Sequence, residues 1–174
     1  SQVTSYNPAN GETLWTLKTS NGRGTPTVTP TGEFLVTLCG LSGDMLAVRP
    51  GGSGDVSDSR VLWRTPRTGG RDLPSPIISD NFLLIARLRP GLVTCYDVTS
   101  GNEVWTQRME GGFSSSPIVA GGQVYMLSET GTTYVIKPGA KPEVLATNSV
   151  GQEAEEIFRA SPTPFDGHLL IRSD

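Results

Sequence analysis

An all-β fold made of recurring four-stranded antiparallel sheets is predicted by three features of the sequence. First, the phrase QVTSYNPANGETLWT (residues 2–16) lies on LVTCYDVTSGNEVWT (92–106) without a gap, sharing Val, Thr, Tyr, Gly, Trp and Thr at matched places. Second, tryptophans fall at 15, 63 and 105 with Leu145 in the fourth place, in steps of 48, 42 and 40. The prolines that open each unit, at 26, 76, 117 and 162, keep similar steps of 50, 41 and 45. Third, apolar residues come in short turn-bounded runs rich in Val, Ile, Leu and Tyr, with no sustained helical period. Four such runs in units of roughly 42 residues are the arithmetic of a β-propeller blade. One blade is too thin to bury both its faces, so neighbours must stack on it.

Taken in order, residues 1–18 supply the last two strands of a blade. The first whole blade, 24–66, holds TPTVT, EFLVTLC, MLAVRP and RVLWRT. The second, 74–108, holds SPIIS, FLLIARL, LVTCYDV and EVWTQR, and the third, 114–148, holds SPIVA, QVYMLS, TTYVIKP and EVLATN. Residues 160–174 supply the first two strands of another blade, for sixteen strands and four blades' worth in a single propeller region, 1–174. The terminal halves could pair and close a four-bladed ring, or the chain could belong to a larger ring completed by further sequence or by a second copy. The larger ring is the expectation, because an open arc leaves apolar faces and strand edges in water.

Composition narrows the function. The chain has 21 Gly and 13 Pro in 174 residues and only 18% charged residues, which suits many turns and little exposed helix. A net charge of −3 argues against nucleic-acid binding through a broad positive field. No apolar run reaches the roughly 18 residues that span a bilayer, and the chain as it stands reads as soluble. Cys39 and Cys95 fit neither a metal site nor a disulfide-rich scaffold. Both read as buried free thiols, with a single bridge left open if their strands are neighbours.

The segments Tyr6 to Trp15 and Tyr96 to Trp105, with the Ser-Ser-Pro-Ile-Val and Gly-x-Val-Tyr that follow, resemble the quinoprotein-like (PQQ-like) β-propeller repeat. That family includes pyrroloquinoline-quinone alcohol dehydrogenases, BamB-like lipoproteins of outer-membrane protein assembly, and bacterial propellers tethered to membranes or secreted. The resemblance implies an extracytoplasmic address, and tryptophans that dock one blade on the next. Read physically, Gly11 and Gly101 supply a positive φ between the third and fourth strands, and Asn7 and Asp97 cap backbone N–H groups there. Trp15, Trp63 and Trp105 lie flat between blades, each burying on the order of 200 Å².

Function is to be sought where blades differ. Loops joining second to third strands share one face of the disc with the blade-to-blade segments. On that face the sequence places Arg64, Arg67, Arg71, Arg87 and Arg89, and the long excursion 147–160 with Glu153, Glu155, Glu156, Ile157 and Phe158. Arginines suit bidentate recognition of a charged peptide or a carboxylate. The plainer alternative is that the two loops neutralise each other on a solvated rim. On the opposite face, the glycine-rich insertion 50–60 reads as a mobile loop. His168, the single histidine, reads as a surface or strand-start residue, and Ser114, Ser115 and Ser116 as the opening of an inner strand.

The quinoprotein dehydrogenases imply an adjacent cysteine pair, a calcium site of carboxylates and amides, and a catalytic Asp. The two cysteines here are 56 positions apart, so the resemblance carries the fold and not that cage. The expectation is a non-catalytic binding scaffold with no cofactor and no metal, meeting a protein or peptide on one loop face. Two alternatives stand beside it: a piece of a quinone-dependent dehydrogenase that would use PQQ and calcium, and a sensor domain of a larger receptor. A homodimer that completes the ring is a further expectation.

Overall fold

A computed structural model describes residues 2–20, 25–39, 43–67, 73–151 and 156–174. The fold is an all-β propeller whose described residues contain no helix. β1 (Gln2–Tyr6) and β2 (Thr13–Lys18) form the N-terminal half blade. The first full blade is β3 (Thr29–Pro30), β4 (Leu35–Leu38), β5 (Met45–Val48) and β7 (Val61–Thr65), while β6 (Gly54–Asp55) leaves it to join the half blade. β8 (Ile77–Ser79), β9 (Phe82–Ala86), β10 (Leu92–Asp97) and β11 (Glu103–Arg108) form the second blade. β12 (Ile118–Ala120), β13 (Gln123–Leu127), β14 (Thr132–Lys137) and β15 (Glu143–Ser149) form the third. β16 (Thr163–Phe165) and β17 (His168–Leu170) form the C-terminal half blade.

The central strands read as unbroken apolar runs because both of their faces are covered. In the second blade, Leu83, Ile85 and Tyr96 pack with Val36, Leu38 and Met45 of the first. Their alternates Leu84, Ala86, Val93 and Cys95 pack with Val124, Met126, Tyr134 and Ile136 of the third. A third cluster joins Trp15 and Leu17 of the half blade to Val48 and Val56 of the first blade. Cys39 and Cys95 are buried free thiols, and burial pushes the Cys95 thiol up to about 12.

Tryptophan docking is visible atom by atom. Trp63 Nε1 donates to Val98 O at 3.2 Å and Trp105 Nε1 to Gly139 O at 2.9 Å, each reaching the following blade. Gly101, at φ +71°, lies under the first of these rings, and a Cβ there would stand 2.5 Å from Trp63 Cε3. Its turn is capped by Asp97 Oδ1, which accepts the N–H groups of Thr99 and Ser100 at 3.1 and 2.8 Å. Asn7 Oδ1 accepts Ala9 N–H in the same way, and Gly11 takes φ +76° with open space around it.

Strand register corrects three readings of the repeat. Trp15, Trp63 and Trp105 pair with Ser5, Ala47 and Cys95, each beside a β-bulge, and in the third blade the residue so placed is Ala146, opposite Val135. Leu145 is therefore the exposed bulge residue, matching Leu14, Leu62 and Val104, and the third blade has no docking indole. The first blade's opening residue is Thr27 rather than Thr25: Thr29 pairs with Val36 as Ile77 pairs with Leu84, which puts Pro26 two residues early. The glycine-rich insertion is built into a sheet. Gly54 and Asp55 pair in parallel with Trp15 and Thr16, Val56 N–H donates to Thr16 O at 2.9 Å, and Val56 is buried. Asp55-Val56-Ser57 repeats the aspartate cap of the Asp97-Val98-Thr99 turn, while Arg49 holds Asp97's place in the strand register. Asp55 Oδ1 accepts Ser57 N–H at 3.0 Å as Asp97 accepts Thr99.

Candidate functional site

The openings of the inner strands explain why each unit begins with a hydroxyl residue. Thr27 N–H donates to Ser75 Oγ at 2.9 Å, Ser75 N–H to Ser116 Oγ at 3.0 Å, and Ser116 N–H to Ser161 Oγ at 3.0 Å. A ladder of main-chain donors and serine hydroxyls thus runs from blade to blade. Ser115 is buried and donates to Leu127 O at 2.6 Å, while Ser114 Oγ donates to Glu129 Oε1 at 2.5 Å. The serine run is committed to structure at every position.

The described arginines of this face sit in different surroundings. Arg64 Nη1 meets Asp44 Oδ2 at 2.8 Å, Arg67 is buried and Arg87 half-buried. Arg89 is exposed, and Arg71 lies outside the described residues, as do Glu153 and Glu155. Glu156 is half-buried and accepts Ser173 Oγ at 3.3 Å. Phe158 is buried: its N–H donates to Glu129 O at 3.0 Å, and its ring fills the space left by Gly131 and Gly151. A Cβ at Gly131 would stand 2.8 Å from Phe158 Cε2. Phe158 thus anchors the returning chain to the third blade, and Ile157 is its exposed neighbour.

Around Arg89 the structure adds residues that sequence reasoning missed. Leu88, Arg89, Pro90, Arg108, Met109, Glu110, Glu129 and Thr130 line an open cleft of about 700 Å³ between the second and third blades. Its frame is main chain: Met109 N–H donates to Gly91 O at 2.8 Å, Phe113 N–H to Arg87 O at 3.3 Å, and Glu129 N–H to Gly112 O at 2.8 Å. Glycine is required at 91 and 112, because a Cβ would fall 2.2 Å from Gly111 O and 2.3 Å from Leu88 O respectively. Beneath the cleft, Tyr134 Oη donates to Glu110 O at 3.0 Å, and the Phe113 ring tilts against Tyr134 at 6.1 Å. Burial holds the Tyr134 hydroxyl above its ordinary pKa. Glu129 also faces Arg159 Nε at 3.5 Å, and Arg159 Nη1 meets Asp174 Oδ2 at 2.6 Å. The GG of Gly111-Gly112 was the sequence signal for this frame.

His168 Nδ1 lies 2.7 Å from Asp166 O on an exposed hairpin, a contact within the turn. A quinone cage is not matched: Cys39 and Cys95 belong to different blades, and among the described residues no group of His, Cys, Asp and Glu could hold a metal ion.

Comparison with known proteins fits this architecture. No curated protein matches the chain. The solved structure of BamB from Moraxella catarrhalis superimposes with a TM-score of 0.75 at 19% identity, over 99% of this chain and 49% of that one. The chain therefore spans about half the length of that relative. The computationally designed Ika4 protein matches with a TM-score of 0.67 at 13% identity, over 94% of this chain and 92% of its own. BBS1N, solved in complex with ARL6DN, matches with a TM-score of 0.68 at 9% identity, over 99% of this chain and 55% of that one. The family described as outer membrane protein assembly factor BamB matches residues 1–139, so the repeats, their register and this match place the chain in the BamB family of PQQ-like β-propellers.

Proposed function

We propose that this chain is a non-catalytic binding scaffold of the cell envelope, and that the cleft between its second and third blades receives a peptide segment of a protein partner. The carrying observation is the cleft's frame: three main-chain hydrogen bonds and two obligatory glycines hold it open before any partner arrives. Such preorganisation lowers the ordering cost of binding. Arg89 and Arg108 stand there with Glu110 and Glu129, so both signs of charge are offered to an extended segment. Membership of a family described by outer membrane protein assembly supports a protein partner and an extracytoplasmic address. The function rests on the site as well as on the fold, since propellers host many activities.

A photo-crosslinking amino acid placed at Arg89 tests the reading in cells, with the same probe at the exposed Asn102 of the opposite face as reference. A discrete protein adduct from position 89, weakened by Arg108→Glu, is the expected result. Equal labelling from both positions overturns it. Dye reduction by the purified chain on addition of PQQ and calcium would instead establish the quinoprotein reading.

A further inference from the structure

The outer strands β2, β7, β11 and β15 present their edges to the rim of the disc in different ways. β2 is covered by β6: Trp15 and Thr16 pair in parallel with Gly54 and Asp55, Thr16 O accepts Val56 N–H at 2.9 Å, and Lys18 N–H donates to Ser57 Oγ at 2.8 Å. The Lys18 ammonium meets the Asp55 carboxylate at 2.7 Å. Counted three residues on from the indole's place, Lys18 is matched by Pro66, Arg108 and Ser149. Pro66 has no N–H to offer, and Arg64 close by is held by Asp44. Ser149 carries no charge. Among these strands β11 alone repeats a cation at Lys18's place, and its edge has no fifth strand among the described residues.

Building on the cleft as a peptide site, we propose that the edge of β11 takes an extended acidic segment of a protein partner as a fifth, parallel strand, in the way β2 takes β6. β11 lies in a blade packed between two full blades. Its main chain faces the right way. Met109 N–H turns inward to Gly91 O, so the N–H and C=O groups of Thr106 and Arg108 point out from the sheet. Thr106 matches Thr16, whose carbonyl receives Val56 N–H. Arg108 ends β11, lines the cleft, is exposed and is in no ion pair among the described residues. A strand parallel to β11 therefore runs toward the cleft. The internal copy also specifies the occupant's chemistry: a small residue, then an acid to pair with Arg108, then an apolar residue and a hydroxyl that accepts Arg108 N–H, as in Gly54-Asp55-Val56-Ser57. Main-chain pairing supplies the affinity of such strand addition, and the acid supplies the choice of edge.

The probe is the end-capped peptide Ser-Gly-Asp-Val-Ser-Asp, the sequence of residues 53–58, with its Asp55→Lys form as the control. Added to the 174-residue chain, it is expected to slow amide hydrogen exchange at Thr106 and Arg108 and to leave Met109, already bonded to Gly91, unchanged. Arg108→Glu should weaken the peptide about fivefold, because attraction becomes repulsion, and should bind the Asp55→Lys peptide better than the parent chain does. Arg108→Pro gives β11 the residue that the first blade holds at that place, so it should abolish binding with the β spectrum unchanged. Absence of binding, or equal binding of the two peptides by the parent chain, overturns the proposal. Binding that perturbs Gly111 and Gly112 without slowing Thr106 and Arg108 overturns the strand pairing and leaves the cleft as a peptide site. If the cleft itself is wrong, the crosslink from position 89 fails whatever the exchange at β11.

Discussion

The junction between the second and third blades and the one that follows the third blade are built on the same backbone with different side chains. At the first, Trp105 is buried, donates to Gly139 of the next blade and joins Met109 and Phe113 in one cluster with Tyr134. At the second, Ala146 occupies the indole's place, and contact depends on the Ser116 to Ser161 hydrogen bond and on Phe158 lodged against Gly131 and Gly151. The difference teaches that the repeat separates two jobs. Main-chain register and the serine ladder set where each blade sits, and the indole supplies the apolar burial that locks it.

The largest way to break the comparison is Trp105→Ala. Removing a buried indole should cost about 3–5 kcal/mol, and its hydrogen bond to Gly139 goes with it. Trp63→Ala, at a half-buried ring, should cost about 2 kcal/mol by the same reasoning scaled to area. Urea unfolding followed by circular dichroism measures both, and equal losses would contradict the graded burial. Ala146→Trp sharpens the contrast, since an indole there has no Gly101-like floor within the described residues.

Next in size is the glycine pair. Gly101→Ala meets both a positive φ and the Trp63 ring 2.5 Å away, so it should cost about 3 kcal/mol or more, combining strain with overpacking. Gly11→Ala meets a positive φ alone and should cost about 1–2 kcal/mol. If the two costs are equal, the floor under Trp63 contributes nothing and docking is not what fixes this glycine.

These comparisons also locate what was legible in the sequence. The recurrence of four-stranded units and the docking role of Trp15, Trp63 and Trp105 follow from the repeat, because apolar period and turn residues are local properties, while the added strand Gly54–Asp55 was not foreseen. The place of Leu145 was not legible, because the bulge that shifts it by one residue relative to Ala146 is a feature of pairing. Counting from Trp105, one position separates the two assignments, and only the partner strand tells them apart. The insertion 50–60 misled because its glycines signal freedom, while the Asp55-Val56-Ser57 turn inside it carries the docking signal. Charge on the loops could be read from composition, and its pairing could not. Arg64 had a carboxylate waiting on a loop 20 residues earlier, and Arg108 and Glu129 reach one cleft from two blades.

Smaller in effect is the cap. Hydrogen bonds from Thr99 and Ser100 hold the Asp97 carboxyl below its usual range. A folded pKa below the unfolded one contributes stability that is present above the unfolded value, near 3.9, and is lost as pH falls through the folded value. Asp97→Asn should flatten the acid side of the stability curve below about pH 4 and cost about 1 kcal/mol or less at neutral pH. The chain already holds that substitution in its own repeat, since Asn7 caps the matching turn. Thermal unfolding from pH 2 to 7 measures it, and an unchanged acid slope would mean that another carboxylate governs the decline.

The smallest expected effect bears most directly on register. Leu145, Leu14, Leu62 and Val104 are the bulge residues of their blades, and all are more than a third exposed. Leu145→Ser should therefore change stability by no more than about 0.5 kcal/mol, as surface substitutions do. Were Leu145 the docking residue of the third blade, the same change would empty an interblade contact and cost about 2–5 kcal/mol. One urea titration separates these values, and the answer fixes whether the third blade meets its neighbour through an apolar side chain or through the serine ladder and Phe158.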